Sequence, residues 1–220
     1  HGSCFVYENK GIMLCGDSGA GKSSLTTAFI LDGHAFLTDD VTPILISNNK
    51  PFIWAMSDRI KLWEDSLKQL HQNIAGLHKI DPETEKFYYP LKRYKNSTFM
   101  LHHIFLIEIH DKATLSFQKN KGAEKVTALR NEIYRLEYLD GMPENEVLYF
   151  KKLVEISKTI KVTKLFRPKA IPIEQTQHQL HISVVDNAPC STLNAGNGLN
   201  GIKERAEQLN GHAAFTCGDK

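Results

Sequence analysis

The chain has 220 residues, of which 41% are hydrophobic and 24% are charged, and its formal net charge is +2. This composition is typical of a globular protein with one large domain, or with one domain and an appendage. The small net charge argues against nucleic acid or an anionic membrane as the partner. No apolar run approaches the roughly 20 residues of a membrane span.

The ends of the chain and its cysteines suggest a compartment. We expect no signal peptide, and the start at His1 rather than at a methionine suggests that residues precede it. Cys4, Cys15, Cys190 and Cys217 are scattered and include no C-x-x-C pair. Cys4 and Cys15 lie in apolar, strand-like segments, which favours buried, reduced thiols. These features predict a cytoplasmic protein.

The first elements along the chain are a predicted hairpin and a phosphate-binding loop. The opening segment, residues 1–8, and the apolar residues 11–15 flank a turn at Asn9-Lys10-Gly11. Residues 16–23 then match G-x-x-x-x-G-K-[ST] at every fixed position, and residues 24–31 repeat apolar side chains at helical spacing. A strand, a glycine-rich loop and a helix together form a cradle for phosphate, although the bare pattern also occurs by chance.

Each residue type in this loop has a chemical role. Glycines let backbone N–H groups converge on phosphate oxygens, and the helix N-terminus adds about half a positive charge. Lys22 would reach the β- and γ-phosphates, and the Ser23 hydroxyl would bind Mg²⁺. The residues expected to hold ATP are Gly16, Asp17, Ser18, Gly19, Ala20, Gly21, Lys22, Ser23 and Ser24.

Two adjacent carboxylates follow the next predicted strand. Residues 33–37 are predicted to form a buried strand, and Asp39 and Asp40 follow at its end. A P-loop protein places a metal-ligating acid at such a strand end. Neighbouring strand residues face opposite sides, so one aspartate could hold Mg²⁺ and the other accept a proton from an attacking hydroxyl. A surface Asp-Asp turn is the alternative.

The middle of the chain gives weaker signals. Spacing predicts an amphipathic helix over residues 64–78. Residues 87–95 mix aromatic side chains and cations, which fits a peptide- or phosphate-binding loop or a strand edge better than nucleic acid. His102 and His103 begin a core strand, and no third ligand at a suitable spacing supports a metal site.

The next segments predict two helices and a strand. Helices are expected over residues 125–138 and 143–156, and a strand over residues 160–166. Arg130, on the first of these helices, is a candidate cation for the transition state. Exposed salt bridging is the alternative for this arginine.

Several of these motifs resemble the C-terminal domain of HPr kinase/phosphorylase. The resemblance covers about residues 2–168 and is closest to the shorter bacterial relatives, including lasso peptide kinases. The motifs that carry it are His1-Gly2, residues 16–23, Gly33-His34 and Asp39-Asp40. Residues 56–63 resemble a further family motif, with Lys61 where arginine is usual.

The resemblance implies a fold and a chemistry. The expected fold is α/β, with a P-loop core of the HPr kinase/phosphoenolpyruvate carboxykinase type and a small α/β C-terminal appendage. ATP and Mg²⁺ are the expected cofactors, with Ser23 and Asp39 as metal ligands. The expected catalytic residues are Lys22, Asp39 and Asp40. His1 matches a family histidine close to the active site, and a structural role at the start of a strand is the alternative. The family tends to form hexamers or smaller rings, which makes a homo-oligomer an expectation.

The substrate is left more open. The family's Glu-Ile-Arg-Gly-Leu-Gly signature, linked to recognition of its carrier protein, is absent here. A serine hydroxyl on a peptide or small protein, such as a ribosomal lasso-type peptide, is therefore the expected acceptor. A nucleotide-binding regulatory module with little catalysis and a small-molecule kinase are the alternatives.

The tail resembles a different family. Residues 180–217 are similar to the last part of a sensor histidine kinase ATPase domain, with a strand at residues 180–187 and a glycine-rich lid near Gly196. Ala188 and Cys190 replace the glycines of the first box. We therefore expect a kinase domain over residues 1–174 and a degenerate histidine-kinase-like fragment over residues 175–220.

Overall fold

The structure is a computed structural model that describes residues 1–92, 94 and 97–183. The strands within these residues are β1 Ser3–Tyr7, β2 Lys10–Gly16, β3 Ala35–Thr38, β4 Ile44–Ser47, β5 Lys50–Trp54, β6 Arg59–Trp63, β7 His78–Lys79, β8 Lys86–Pro90, β9 Thr98–His110, β10 Ser116–Lys119 and β11 Lys161–Pro168. The helices are α1 Lys22–Leu31, α2 Glu64–Gln69, α3 Ala123–Asn131, α4 Glu137–Asp140, α5 Pro143–Thr159 and α6 Ile173–Ser183.

A mixed sheet organises the chain. Its main order is β10-β11-β9-β2-β1-β3, and β5 joins β4 to the first residues of β9. Strands β2, β9 and β11 run parallel, whereas β1 is antiparallel to both of its neighbours. Gly16 lies opposite Ile107, and Arg167 lies opposite Ile109. The carboxyl ends of the three parallel strands therefore meet at one edge of the sheet, called here the loop edge.

Helices cover both faces of this sheet, because its central strands are apolar on both sides. On one face, Phe29 of α1 stacks on Phe5 of β1 with ring centroids 4.4 Å apart. On the other face, Leu129 of α3 and Leu153 of α5 belong to a buried cluster with Cys15 of β2. Burying each such side chain contributes about 1.5–3 kcal/mol.

The fold is therefore mixed α/β, as the sequence predicts. A second sheet, in the order β6-β8-β7, carries Lys61 on β6. The predicted helix after Gly21 and the two aspartates at the end of β3 both occur. No helix in the described residues is long and apolar enough to cross a membrane.

Two predicted helices are shorter than the spacing indicates. The helix expected over residues 64–78 ends at Gln69, and His71 follows with a left-handed φ of 54°. The helix expected over residues 125–138 is α3, which starts at Ala123 and stops at Asn131; Arg135 has a φ of 56° before α4 begins. A positive φ in a non-glycine residue interrupts the helical hydrogen-bond ladder, so periodic apolar spacing alone overestimates both helices.

The prediction of a strand over residues 180–187 is wrong for residues 180–183. Residues up to Ser183 belong to α6, in which Ile173, Thr176, Gln177 and Leu180 are buried at helical spacing. His1–His181 form one compact unit. The rest of the histidine-kinase-like segment, with Cys190 and Cys217, lies outside the described residues.

Candidate phosphate-transfer site

Residues 16–23 form the loop between β2 and α1. Gly16, Gly19 and Gly21 have φ values of 135°, 84° and 92°. A Cβ at Gly16 would lie 2.4 Å from the Ile107 carbonyl oxygen, which excludes any side chain there. The glycines therefore permit a backbone path that other residues could follow only with strain.

The side chain of Lys22 folds back over this loop. Its ammonium donates hydrogen bonds to the carbonyl oxygens of Gly16 at 2.7 Å and Asp17 at 2.9 Å. Lys22 is 8% exposed, so its charge is held at the loop rather than in solvent. This cation lies at the N-terminus of α1, where the helix dipole also favours an anion.

Ser23 connects the loop to the first of the two aspartates. Its hydroxyl donates a 2.9 Å hydrogen bond to Asp39 Oδ1, and the Lys61 backbone N–H donates to Asp39 Oδ2 at 3.3 Å. Residues 16 positions apart in sequence thus meet because α1 starts beside the end of β3. A hydroxyl and a carboxylate in contact are oxygen ligands of the kind that Mg²⁺ prefers.

Asp40 has a different environment from its neighbour. Its backbone φ is 63°, and its carboxylate forms a 2.5 Å ion pair with Lys61 Nζ. Its carbonyl oxygen accepts a 2.9 Å hydrogen bond from the Gly2 N–H. A left-handed residue other than glycine costs of order 1 kcal/mol, although aspartate tolerates it better than most. This turn directs the two carboxylates to different partners.

The electrostatics of the pair follow from these contacts. Burial raises the pKa of Asp39, and repulsion from Asp40 raises it further, against the hydrogen bonds from Ser23 and Lys61. The hydrogen bond to Asp40 raises the pKa of Lys61. Within the part of the chain that the structure describes, Asp39 thus has donors but no paired cation of its own, so its negative charge would be stabilised by a bound metal ion.

The described residues limit what kind of metal site this can be. They contain no group of three or more His, Cys, Asp or Glu side chains able to hold a metal. Ser23 and Asp39 would therefore supply few protein ligands. Mg²⁺ fits this sparse set, since it retains water and is commonly shared with substrate phosphates.

Of the remaining predicted site residues, Ser24 and His1 lie near the loop or the Asp40 turn, and Arg130 does not. The hydroxyl of Ser24 donates to Ser66 of α2 at 2.8 Å. His1 lines a cavity of about 340 Å³ that also includes Thr42 and Glu132, close to the Asp40 turn. Arg130 instead forms a 3.1 Å ion pair with Glu146 of α5. Arg130 is therefore in the exposed salt bridge that was the alternative prediction, and not in contact with the loop.

Arg167 was not among the predicted site residues, yet it lies against the loop. A Cβ at Gly21 would lie 3.1 Å from its Nη1 atom, which also approaches the Ala20 carbonyl oxygen at 3.5 Å. Its Nη2 donates to the Ile171 carbonyl oxygen at 3.1 Å. The Arg-Pro step that ends β11 was the available sequence signal, but only the parallel pairing of β11 and β9 brings it to the loop edge.

Other candidates from the sequence belong to the core. His103 is buried on β9, where Nε2 lies 2.8 Å from the Thr163 hydroxyl and the ring stacks on Phe105. Cys4 and Cys15 are buried free thiols. Burial raises the pKa of Cys4 to about 12, which keeps the thiol protonated and unreactive.

Comparison with known proteins gives a distant similarity to solved structures. No protein-family model matches the chain, and no curated protein matches it. Among solved structures, the HPr(Ser) kinase/phosphatase from Coxiella burnetii is similar at a TM-score of 0.39 and 15% sequence identity. The match covers 83% of this chain and 97% of that chain.

Proposed function

We propose that this protein is a kinase that transfers the γ-phosphate of ATP·Mg²⁺ to a serine hydroxyl on a peptide or small protein. The observation that carries the proposal is the hydrogen bond between Ser23 of the loop and Asp39. It joins a phosphate cradle, a metal-ligating pair and a second carboxylate at one edge of the sheet.

The loop and two cations would bind the triphosphate. Backbone N–H groups of residues 17–23 and the N-terminus of α1 favour phosphate oxygens. Lys22 adds a buried positive charge at the mouth of the loop, and Arg167 adds a guanidinium beside Gly21. Positioning and charge neutralisation are the main sources of catalysis for a loose, anionic transition state.

The two aspartates would divide the remaining work. Asp39 with Ser23 would hold Mg²⁺, which neutralises phosphate charge when bound. Asp40 is more exposed than a metal ligand needs to be, with 38% of its side chain accessible, and it could accept the proton of the incoming hydroxyl. The hydroxyl oxygen would bond to the γ-phosphorus as the bond to the β,γ-bridging oxygen breaks, and ADP would leave.

Lys61 would tune this proton transfer. It donates to Asp40 through its side chain and to Asp39 through its backbone. Its ammonium lies 2.5 Å from Asp40 Oδ2, so it holds the carboxylate that would accept the proton in place. One residue of β6 thus links both carboxylates.

Mass spectrometry of serine-containing peptides after incubation with ATP and Mg²⁺ tests the proposal. We expect one added phosphate with the wild-type chain and none with Lys22→Ala or Asp40→Asn. Lys50→Ala, which removes an exposed lysine from β5, is the matched control and should retain transfer.

The other outcomes identify the alternatives. ATP binding without transfer to any peptide would support a regulatory nucleotide-binding module. Phosphorylation of small hydroxyl compounds but not of peptides would support a small-molecule kinase. Transfer that survives both substitutions would contradict the roles proposed for Lys22 and Asp40.

A further inference from the structure

A second cleft begins at the phosphate loop, on the face of the sheet covered by α3. Its volume is about 970 Å³, and Gly16 and Asp17 of the loop form one end. The carboxyl half of β9, the adjoining part of β11 and the side of α3 form its walls. The role proposed above for the loop does not account for this cleft.

The charge of the cleft differs from that of the whole chain. Asp17, Glu108, Glu124 and Glu132 line it, and Lys164 is the only cation among the described lining residues. Lys164 is already paired with Glu108 at 2.6 Å. The chain as a whole has a net charge of +2, so this acidic lining is a local feature of the cleft.

The cations of α3 do not neutralise these carboxylates. Lys125 turns away and donates to the carbonyl oxygens of Ser157 and Ile160 at 3.0 and 2.7 Å. Arg130 pairs with Glu146 of α5. Both cations of the helix are thus engaged on its other side, whereas Glu124 faces the cleft.

A buried acceptor provides a second, independent observation. Asn120 lines the cleft and is 9% exposed, and its Oδ1 has no hydrogen-bond partner among the described residues. Its backbone N–H donates to the Val162 carbonyl oxygen, which fixes the residue in place. Leaving such an acceptor unpaired costs about 1–3 kcal/mol, and a donor in the cleft would recover that cost once the amide of Asn120 turns toward it.

These features select a ligand that is positively charged and rich in donors. Arginine presents five N–H donors and no acceptor, and lysine presents three. Phosphate groups would be repelled by the glutamates of the cleft, which lie outside the phosphate-binding loop. Asp17, Glu108 and Glu124 are exposed, so the cleft is open along its length and fits an extended chain.

We infer that this cleft binds a basic residue of the acceptor peptide, next to the serine that receives the phosphate. The inference rests on the proposed kinase function and names the class of substrate: a serine peptide with a nearby arginine or lysine. Asp17 belongs both to the cleft and to the loop, which places the bound cation beside the reacting phosphate.

Paired peptides test this selectivity. Each pair has the same serine-containing sequence with arginine or glutamine at one position near the serine, and kcat/KM is measured for both. We expect the arginine peptide to be favoured about tenfold, the effect of one charge-assisted hydrogen bond. Glu124→Gln should reduce this preference, while Glu144→Gln, the same change in the first turn of α5, should leave it intact.

Direct binding separates this inference from the kinase proposal. Fluorescence anisotropy of the labelled arginine peptide requires no phosphoryl transfer. Binding that is weakened by Glu124→Gln but not by Glu144→Gln would support the basic-residue site even if transfer fails. Equal kcat/KM for the arginine and glutamine peptides would overturn the inference and leave the kinase proposal standing.

Measuring the affinity for ATP tests the remaining interpretation, that the cleft binds the nucleoside. If Glu124→Gln lowers the affinity for ATP and leaves peptide affinity unchanged, the cleft holds the nucleoside rather than the peptide, and the inference is wrong. We expect the ATP affinity of this variant to equal that of the wild-type chain.

Discussion

Two polar pairs in this protein, one partly buried and one buried, have similar distances and differ in their surroundings. Ser23 donates to Asp39 at 2.9 Å at the loop edge, and His103 lies 2.8 Å from Thr163 inside the sheet. In both pairs burial shifts the pKa toward the neutral form: it raises the pKa of Asp39 and lowers that of His103 to about 3.

The two pairs differ in whether a charge is left without a partner. A neutral imidazole with one hydrogen bond and a stacked ring is a stable arrangement within the core. Asp39 instead has a like charge next to it in Asp40, and that charge contributes to its raised pKa. The sheet pair is therefore expected to contribute to stability, and the loop-edge pair to binding a cation.

Replacing Asp39 gives the largest expected effect. Asp39→Asn removes a charged metal ligand, and phosphoryl transfer should fall by about 100- to 1,000-fold, the range for losing one electrostatic contact of this kind. The free energy of unfolding should not fall, because a partly desolvated charge is removed. Transfer assays across Mg²⁺ concentrations and urea denaturation measure the two quantities. A large loss of stability with normal Mg²⁺ dependence would contradict the comparison.

Replacing Arg167 has the second-largest expected effect, on the affinity for ATP. Arg167→Gln removes a guanidinium from beside Gly21, and the affinity for ATP should fall by about 1.5–3 kcal/mol, the contribution of a hydrogen bond to a charged group. Arg167→Lys should restore part of the loss, since it keeps the charge without the planar fork. Isothermal titration calorimetry with ATP gives the affinities. Unchanged affinity in the glutamine variant would show that Arg167 only braces the loop.

The stability of the sheet pair should depend on pH. The folded-state pKa of His103 is lowered to about 3 from 6.5, so between these values the unfolded chain binds the extra proton. The stabilisation is complete above pH 6.5 and is lost as the pH falls, by about 1.4 kcal/mol per pH unit, or about 2 kcal/mol at pH 5.

The variant His103→Gln isolates this contribution, because it keeps a hydrogen-bonding side chain without a titrating group. Urea denaturation at pH 7, 6 and 5 should show a shallower loss of stability in the variant. His102→Gln, at the preceding position on β9, is the control and should keep the wild-type slope. Equal slopes for all three chains would show that His103 does not cause the acid sensitivity.

The smallest expected effect concerns the ion pair at the loop edge. Both side chains of the Lys61–Asp40 pair are 38% exposed, and exposed pairs contribute at most about 1 kcal/mol. Lys61→Met should therefore change the free energy of unfolding as little as Lys68→Met, which removes the exposed Lys68–Glu64 pair of α2. Phosphoryl transfer should fall only in the first variant. A stability loss well above that of the control would make Lys61 a structural residue.

The sequence by itself determined the local features of this protein. The glycines of the loop, the start of α1 after Gly21 and the two aspartates after β3 all follow from short-range chemistry: left-handed φ values, helical spacing and strand ends. The α/β class was the one that the family resemblance implied.

Only the tertiary structure decided which distant residues meet. Arg167 approaches Gly21 because β9 lies between β2 and β11, and α3 aligns Glu124 with the acidic cleft while it turns Arg130 toward Glu146. The end of α2 also depended on the left-handed residue His71, and the left-handed Arg135 separates α3 from α4; apolar spacing indicated neither. The spacing of apolar residues indicates which side of a helix or strand is buried, whereas strand order and helix packing determine what that side contacts.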